Sequence, residues 1–261
     1  MRGLLREERH QQILDIARKQ SRVIPIELSR TLGVSEITIR RDIQELAAKG
    51  FLKRAHGGAI LAKPAIEEPP ILHRMLQNSE YKDAIGRATA KLIKDGDSIF
   101  LSSGSTTAYV ARHLVNRKKL TVVTNALNIG TELATAEDLT VVVVGGMLRP
   151  SELSLVGHIA ELSLKEIRVE KVLIGIPAIS LEHGLTNDYL PEVLTDRAIL
   201  NMASKLILVA DHTKFNKVAS AYVSPLERVT TLVTDKLTDP FMLDKIRQLG
   251  IEVILADGEE G

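Results

Sequence analysis

The chain has 261 residues, 44 % of them hydrophobic, with no cysteine or tryptophan and a formal net charge of +1. That length suits two domains with real cores. The composition excludes disulfides, cysteine-ligated zinc and thiol catalysis, and aromatics at 3 % make base stacking on aromatic platforms a poor expectation.

No run of about 18 apolar residues occurs, so no membrane span is expected. The charged start "MRGLLREERHQQIL" lacks the apolar core of a signal peptide. With cysteine absent, a cytoplasmic protein is expected. The near-neutral total hides an asymmetry. Residues 1–63 hold 13 Lys and Arg against 7 Asp and Glu, or +6, while the rest holds 21 against 26, or −5. A basic first module on a mildly acidic body points to a polyanion partner for the first part only.

In "REERHQQILDIARKQ" (6–20), Ile13, Leu14, Ile16 and Ala17 recur at helical spacing. A short second helix follows, with Pro25 in its first turn and Gly33 at its end. Ser35 offers an N-cap for "EITIRRDIQELAAKG", where Ile39, Ile43 and Leu46 share one face. Arg41 projects roughly opposite that face, Thr38 and Arg40 flank it, Gln44 lies on the open side, and Gly50 stops the helix. Two helices around a Gly turn, the second tipped with Ser, Thr and paired Arg, form the helix-turn-helix pattern. The arginines suit guanine edges or phosphates of double-stranded DNA. "FLKRAHGGAIL" (51–61) then reads as a β-hairpin wing, with Lys53, Arg54 and His56 near its tip.

"ERHQQIL", "IELSRTLGVSEITIRRDIQELAAKGFLKRAHGGA" and the later "DHTKF" together resemble the DeoR family of bacterial transcription regulators. The resemblance implies a winged helix-turn-helix over residues 1–60 and a sugar-phosphate-sensing domain behind it. "AILAKPAIEEPPILHRMLQ" (59–77) contains Pro64, Pro69 and Pro70, which break regular structure. The linker is therefore expected over 61–80. Glu68, Arg74 and Lys82 loosely match a Glu, Arg, Lys spacing of the family, but linker residues are usually solvated, and no site role is expected of them.

The body, 81–261, carries seven apolar β-branched runs: 97–103, 120–126, 139–146, 171–179, 205–211, 230–236 and 252–257. Continuous apolar strands predict burial on both faces, hence a mostly parallel sheet with helices on each side. Ligands of such folds bind at the strand C-terminal ends. Those ends carry Ser102-Ser103-Gly104-Ser105-Thr106-Thr107, Asn125, Gly145-Gly146, and Asp211 with Thr213 and Lys214. Gly104 lets backbone approach an anion, and Ser105, Thr106 and Thr107 open a helix whose first N–H groups seek an acceptor. Lys214 adds a cation.

The resemblance implies an α/β domain like ribose-5-phosphate isomerase. It implies effector-binding roles for Gly104, Ser105, Thr106, Thr107, Asn125, Gly145, Gly146, Asp211 and Lys214. It also places Thr186, Asn187 and Arg197 near the pocket. The family's usual Asp stands here as Ser102, from which tolerance of a sugar-acid phosphate is expected.

The expected protein is a transcriptional regulator, a repressor of a carbohydrate-catabolism operon controlled by a phosphorylated sugar or sugar-acid effector. It would act as a homo-oligomer on a double-stranded operator, with no cofactor and no metal. The alternative is a sugar-phosphate isomerase-like enzyme with an accessory DNA-binding module. No nucleotide-binding loop, H-E-x-x-H or G-x-S-x-G pattern favours the enzyme.

Overall fold

A computed structural model describes residues 9–257 apart from 11, 14, 15, 18–21, 49–51, 56, 57 and 62–68. The chain divides into two compact units, Met1–Glu67 and Glu68–Gly261.

In the first unit Arg9, His10, Gln12, Ile13, Ile16 and Ala17 are helical. Helix α1 (Pro25–Leu32) has Pro25 at its first position, where a missing N–H costs nothing, and Gly33 closes it in the left-handed conformation. Helix α2 (Glu36–Ala48) follows a three-residue turn. Strands β1 (Arg22–Val23), β2 (Leu52–Ala55) and β3 (Gly58–Leu61) form an antiparallel sheet in the order β1-β3-β2. Register places Arg54 opposite Ala59 and Ala55 opposite Gly58, so β2 and β3 pair as the expected hairpin. Ile13, Leu28, Ile39, Ile43, Leu46 and Leu52 meet in its core. Asp42 ties the first helix to α2. Arg9 donates to it through Nε at 2.5 Å and Nη2 at 3.0 Å, and His10 Nε2 lies 3.1 Å away. Burial pushes the Asp42 carboxyl up, but hydrogen bonds from Arg9 and His10 and their charges hold it below the usual carboxylate range.

The second unit opens with α3 (Ile71–Leu76) and α4 (Ser79–Ala90). Ile71 and Arg74 are buried. The linker expected over 61–80 is therefore helix from Ile71 onward, and Pro70 serves as the residue before α3 rather than as part of a loose segment.

Strands β4 (Ser98–Leu101), β5 (Leu120–Thr124), β6 (Leu139–Val143), β9 (Lys171–Ile174), β12 (Lys205–Val209), β14 (Thr231–Asp235) and β15 (Glu252–Ala256) make one parallel sheet. Its order is β15-β14-β12-β9-β4-β5-β6. Each of the seven expected runs supplies one of these strands. Helices α5 (Ser105–Arg112) and α6 (Leu127–Leu133) follow β4 and β5. Helices α7 (His158–Lys165), α8 (Leu190–Leu200) and α9 (Pro240–Gln248) complete the set.

Two clusters fill the unit, one around Phe100, Val172, Ile174 and Leu208, the other around Ile85, Ile99, Leu101 and Val122. One expectation fails at the margin. Strand β6 is not buried on both faces, because it is the sheet's edge, and Val142 and Val143 are exposed.

Two small antiparallel sheets were not legible as strands. They are the hairpin β7 (Met147–Arg149) and β8 (Ser154–Val156), and the set β10 (Ala178–Ser180), β11 (Gly184–Asn187) and β13 (Ala221–Ser224). From β4 the chain builds β5 and β6 to one side, then returns to lay β9, β12, β14 and β15 on the other. The order therefore reverses between β4 and β9. A crevice opens at such a switch point, beyond the strand C-termini.

Candidate functional site

The helix α2 surface collects the residues expected at DNA. Thr38 N–H donates to Ser35 Oγ at 3.2 Å, and the two hydroxyls lie 2.8 Å apart. Ser35 is thus the N-cap, and both hydroxyls serve the helix start. Arg40 and Arg41 stand out, with side chains 63 % and 81 % exposed. Arg40 pairs with Glu36 at 2.6 Å and Arg41 lies 3.7 Å from Glu45. Exposed pairs of this kind are worth little and open easily. Gln44 is exposed beside them. Arg54 lies on β2, and His56 and Gly50 fall outside the described residues.

In the second unit a cleft opens at the switch point. One wall is the loop after β4 with the start of α5: Ser103, Gly104, Ser105 and Thr106. Gly175, Ile176 and Pro177 after β9 form the next. Gly104 sits at φ 146°, ψ 152°, a backbone state closed to side chains. Its carbonyl accepts from Ala108 N–H and Thr107 Oγ1, which starts α5 and directs the first-turn N–H groups outward. Lys214 and Arg74 also line the cleft. The positive helix end and two cations make this side anion-attracting.

The other side is acidic. Glu152, Asn187, Glu192 and Asp196 line it. Arg74 Nη2 donates to Glu152 Oε1, and Arg149 Nη1 donates to Glu192 Oε2. Ser154 Oγ donates to Glu192 Oε1 at 3.0 Å, and Asn187 Nδ2 donates to Asp196 Oδ2 at 3.0 Å. Burial, then the Glu192 charge, pushes the Asp196 carboxyl well above the usual carboxylate range. The shift favours the protonated carboxyl, a form able to donate as well as accept.

A raised folded value means a contribution to stability that is present at low pH and lost as pH rises through that value. The second unit should therefore melt higher on acidification toward the ordinary Asp value of about 4. Asp196→Asn should remove that gain and melt higher than the wild type at pH 8. A thermal melt series in which both proteins keep the same pH slope would show that Asp196 is not the group responsible.

Of the expected effector residues, Gly104, Ser105, Thr106 and Lys214 meet in the cleft, and the others do not line it. Thr107 is buried and bonded to Gly104. Asn125 Oδ1 accepts from Ser103 N–H at 3.0 Å, so it holds the loop from behind. Asp211 caps the turn that carries Lys214, accepting from Thr213 N–H at 2.9 Å. Gly145 and Gly146 do not line the cleft, and Gly146 is packed closely against β8 and α7. A Cβ on it would meet Val156 O at 3.0 Å and Ala160 Cβ at 3.1 Å.

Ser102 is 2 % exposed. Its Oγ donates to Ser103 O and accepts from Gly175 N–H. It braces two loops instead of facing a ligand, so the sugar-acid argument built on it falls. Asn187 is in the cleft, while Thr186 bonds Ala219 N–H and Arg197 donates to Tyr222 O. Arg74, given no role as a linker residue, is a cleft residue. Glu152, Glu192 and Asp196 also went unseen. Nothing local in the sequence joins a hairpin turn to α8.

A winged helix-turn-helix followed by a parallel α/β body with a charged switch-point cleft defines a two-unit helix-turn-helix protein with a cleft in its α/β unit. The chain belongs to the DeoR family of helix-turn-helix regulators. Residues 9–65 match the DeoR-like helix-turn-helix domain and residues 77–236 the DeoR C terminal sensor domain. It is similar to the HTH-type transcriptional repressor GlcR of Bacillus subtilis, 31 % identical over 99 % of both chains. It is also similar to the glycerol-3-phosphate regulon repressor of Escherichia coli K12, 32 % identical over 87 % of this chain and 90 % of that one. Among solved structures, ribose 5-phosphate isomerase A of Methanocaldococcus jannaschii aligns over 53 % of this chain and 55 % of that chain. Its identity is 18 % and its TM-score 0.40, too loose to carry an argument. No helix among the described residues is long and apolar enough to cross a membrane.

Proposed function

We propose that this protein is a transcriptional repressor of a carbohydrate operon, released or engaged by a small phosphorylated sugar. The first unit binds a double-stranded operator through α2 and the wing, and the second binds the effector. The observation that carries the reading is the two-sided cleft. A phosphate fits the N-terminus of α5 with Arg74 and Lys214. Sugar hydroxyls fit the acceptors and donors of Glu152, Asn187, Glu192 and Asp196. At that end Arg74 and Arg149 are already engaged by Glu152 and Glu192, so a ligand carboxylate would have to compete for their guanidinium groups, and a sugar phosphate is favoured over a sugar-acid phosphate. Both relatives are repressors, which supports the repressor half of the reading.

On α2, Arg40, Arg41 and Gln44 supply donors for base edges and phosphates, and Ile37, 81 % exposed, supplies apolar contact for a thymine methyl. Binding rather than catalysis is favoured because the cleft carboxylates are already engaged, Glu152 by Arg74, Glu192 by Arg149 and Asp196 by Asn187. Two half-sites about 34 Å apart would call for a homo-oligomer.

The test starts from a duplex selected from a random library. Arg40→Ala/Arg41→Ala should weaken its binding at least 10-fold, a base contact being worth about 1–3 kcal/mol. Undiminished binding by that variant sinks the DNA half. Calorimetry with a panel of sugar phosphates and the matched sugar-acid phosphates should find a binder among the former. Lys214→Ala should weaken that binder by roughly 1.5–3 kcal/mol and leave DNA binding intact. Aldose–ketose interconversion by the wild type would instead favour the isomerase-like enzyme.

A further inference from the structure

Glu152, Glu192 and Asp196 line the acidic side of the cleft, and the first two have arginine partners. Glu152 is held by Arg74, and Glu192 by Arg149, whose guanidinium also lies 4.3 Å over the Tyr189 ring. Asp196 is bonded instead by a neutral amide, which it shares. Asn187 Nδ2 donates to Asp196 Oδ2 at 3.0 Å and to Glu192 Oε2 at 3.3 Å. These bonds use both amide hydrogens, and Asn187 Oδ1 accepts from Tyr189 N–H at 3.2 Å.

Asp196 is 6 % exposed. Its Oδ1 has no hydrogen-bond partner among the described residues and is not sealed in the interior, so this oxygen opens on the cleft that the residue lines. Because Oδ2 accepts from Asn187, a proton on the carboxyl belongs on Oδ1. Burial and the Glu192 charge favour that proton. The elements packed on α8 bring no spare charge to it. The β7–β8 hairpin gives Arg149 and Glu152, both paired. Strand β11 gives Asn187, β13 has only Tyr222, which is exposed, and α7 carries His158, Glu161 and Lys165, none of them buried. Arg74 and Lys214 belong to the anion side.

We propose that Asp196 is the specificity-determining residue of the cleft, its Oδ1–H donating to an effector oxygen that carries no hydrogen, the carbonyl or ring oxygen of an aldose or ketose phosphate. Of the residues on the acidic side, Glu152 and Glu192 accept and the Asn187 amide is spent, so the Asp196 hydroxyl is the donor left to the ligand. A carbonyl or ring oxygen is met only by the protonated carboxyl. A hydroxyl in the same place accepts from the carboxyl or donates to the carboxylate, and so does not depend on the proton. The site therefore separates sugar phosphates from the sugar-alcohol phosphates made by reducing them, as a function of pH. The inference rests on the reading of the cleft as a sugar-phosphate site and names the class of sugar within it.

Calorimetry on the full chain tests this with matched pairs: ribose 5-phosphate with ribitol 5-phosphate, fructose 6-phosphate with glucitol 6-phosphate, and dihydroxyacetone phosphate with glycerol 3-phosphate. The phosphate titrates alike in both members of a pair, so its protonation cancels in the ratio of their affinities. In the wild type that ratio, sugar over alcohol, should fall by about 10-fold or more between about pH 5 and about pH 9, the worth of one hydrogen bond. Asp196→Asn sets an amide N–H where the O–H stood and does not titrate, so its ratio should favour the sugar and stay flat. In Asp196→Ala the ratio should be flat and the preference gone. A wild-type ratio that does not move with pH, a ratio that falls as steeply in Asp196→Asn, or a sugar preference that survives in Asp196→Ala would each overturn the assignment. Binding of the alcohols alone overturns it too. The two readings fail differently: if no member of any pair binds at any pH, the sugar-phosphate reading itself is lost, whereas members that bind equally at every pH remove only the role given to Asp196.

Discussion

Asp42→Ala should unfold the first unit and leave the second folded. The carboxylate takes two hydrogen bonds from Arg9 and one contact from His10, and side-chain exposure is 11 % for Arg9 and 4 % for Asp42. Removing one member of a buried pair leaves the other charge in a dry site, at a cost of about 3–5 kcal/mol. A domain of this size draws about the same total from its core. The link is also long in sequence, from the first helix to α2, so its loss frees the helix that completes the core around Ile13 and Ile39. Two thermal transitions, or hydrogen exchange resolved along the chain, check this. A first unit of Asp42→Ala that melts within about 1 kcal/mol of the wild type would mean the pair contributes little.

The pH dependence carries a sign. Because the folded Asp42 value is depressed, its contribution is present above the ordinary Asp value of about 3.9 and lost as pH falls through the folded one. Asp42→Asn should lack that acid-side loss. The two units thus respond to acid oppositely and in succession, Asp196 strengthening the second as pH falls toward about 4 and the loss at Asp42 weakening the first below that.

What the sequence revealed and what it hid divide along physical lines. The seven strands of the parallel sheet were legible because burial demands unbroken apolar runs, and one such run marks each strand. The exposed edge at β6 was not, since a run of valines reads alike whether water or helix covers it. The antiparallel sheets escaped because three- or four-residue strands carry too few residues for a period to emerge. The anion side of the cleft was readable from Gly104 to Thr106, where a helix start follows a strand end. The acidic side assembles Glu152 from the β7–β8 turn with Glu192 and Asp196 from α8, residues whose proximity only the fold creates. Arg74 was hidden by its neighbours. Pro69 and Pro70 signal a break, yet Pro69 O accepts from Arg74 Nε at 2.9 Å and so helps to aim it.

Arg74→Ala should therefore damage the second unit in two separable ways. Its guanidinium pairs with Glu152, with side chains 9 % and 5 % exposed. Deleting it leaves the Glu152 charge near Glu192 and Asp196, without its cation, and should cost about 3–5 kcal/mol. In a unit of this size each kcal/mol lowers the melting temperature by roughly 2–4 °C, so the unit stays folded at room temperature but melts visibly earlier. The same deletion removes a cation from the anion side, and sugar-phosphate affinity should fall at least 10-fold, the worth of one charge-assisted hydrogen bond. Arg74→Ala/Glu152→Ala separates the two effects. Removing both charges should return most of the stability, as a double-mutant cycle reads it, while phosphate binding stays weak because no cation has come back. If the double variant regains the affinity as well, Arg74 acts only by neutralising Glu152 and the phosphate is held by the α5 terminus and Lys214 alone. If it regains neither, the pair is a structural tether whose loss displaces α3, and the loop Ser103–Thr106 should then lose amide protection in hydrogen exchange.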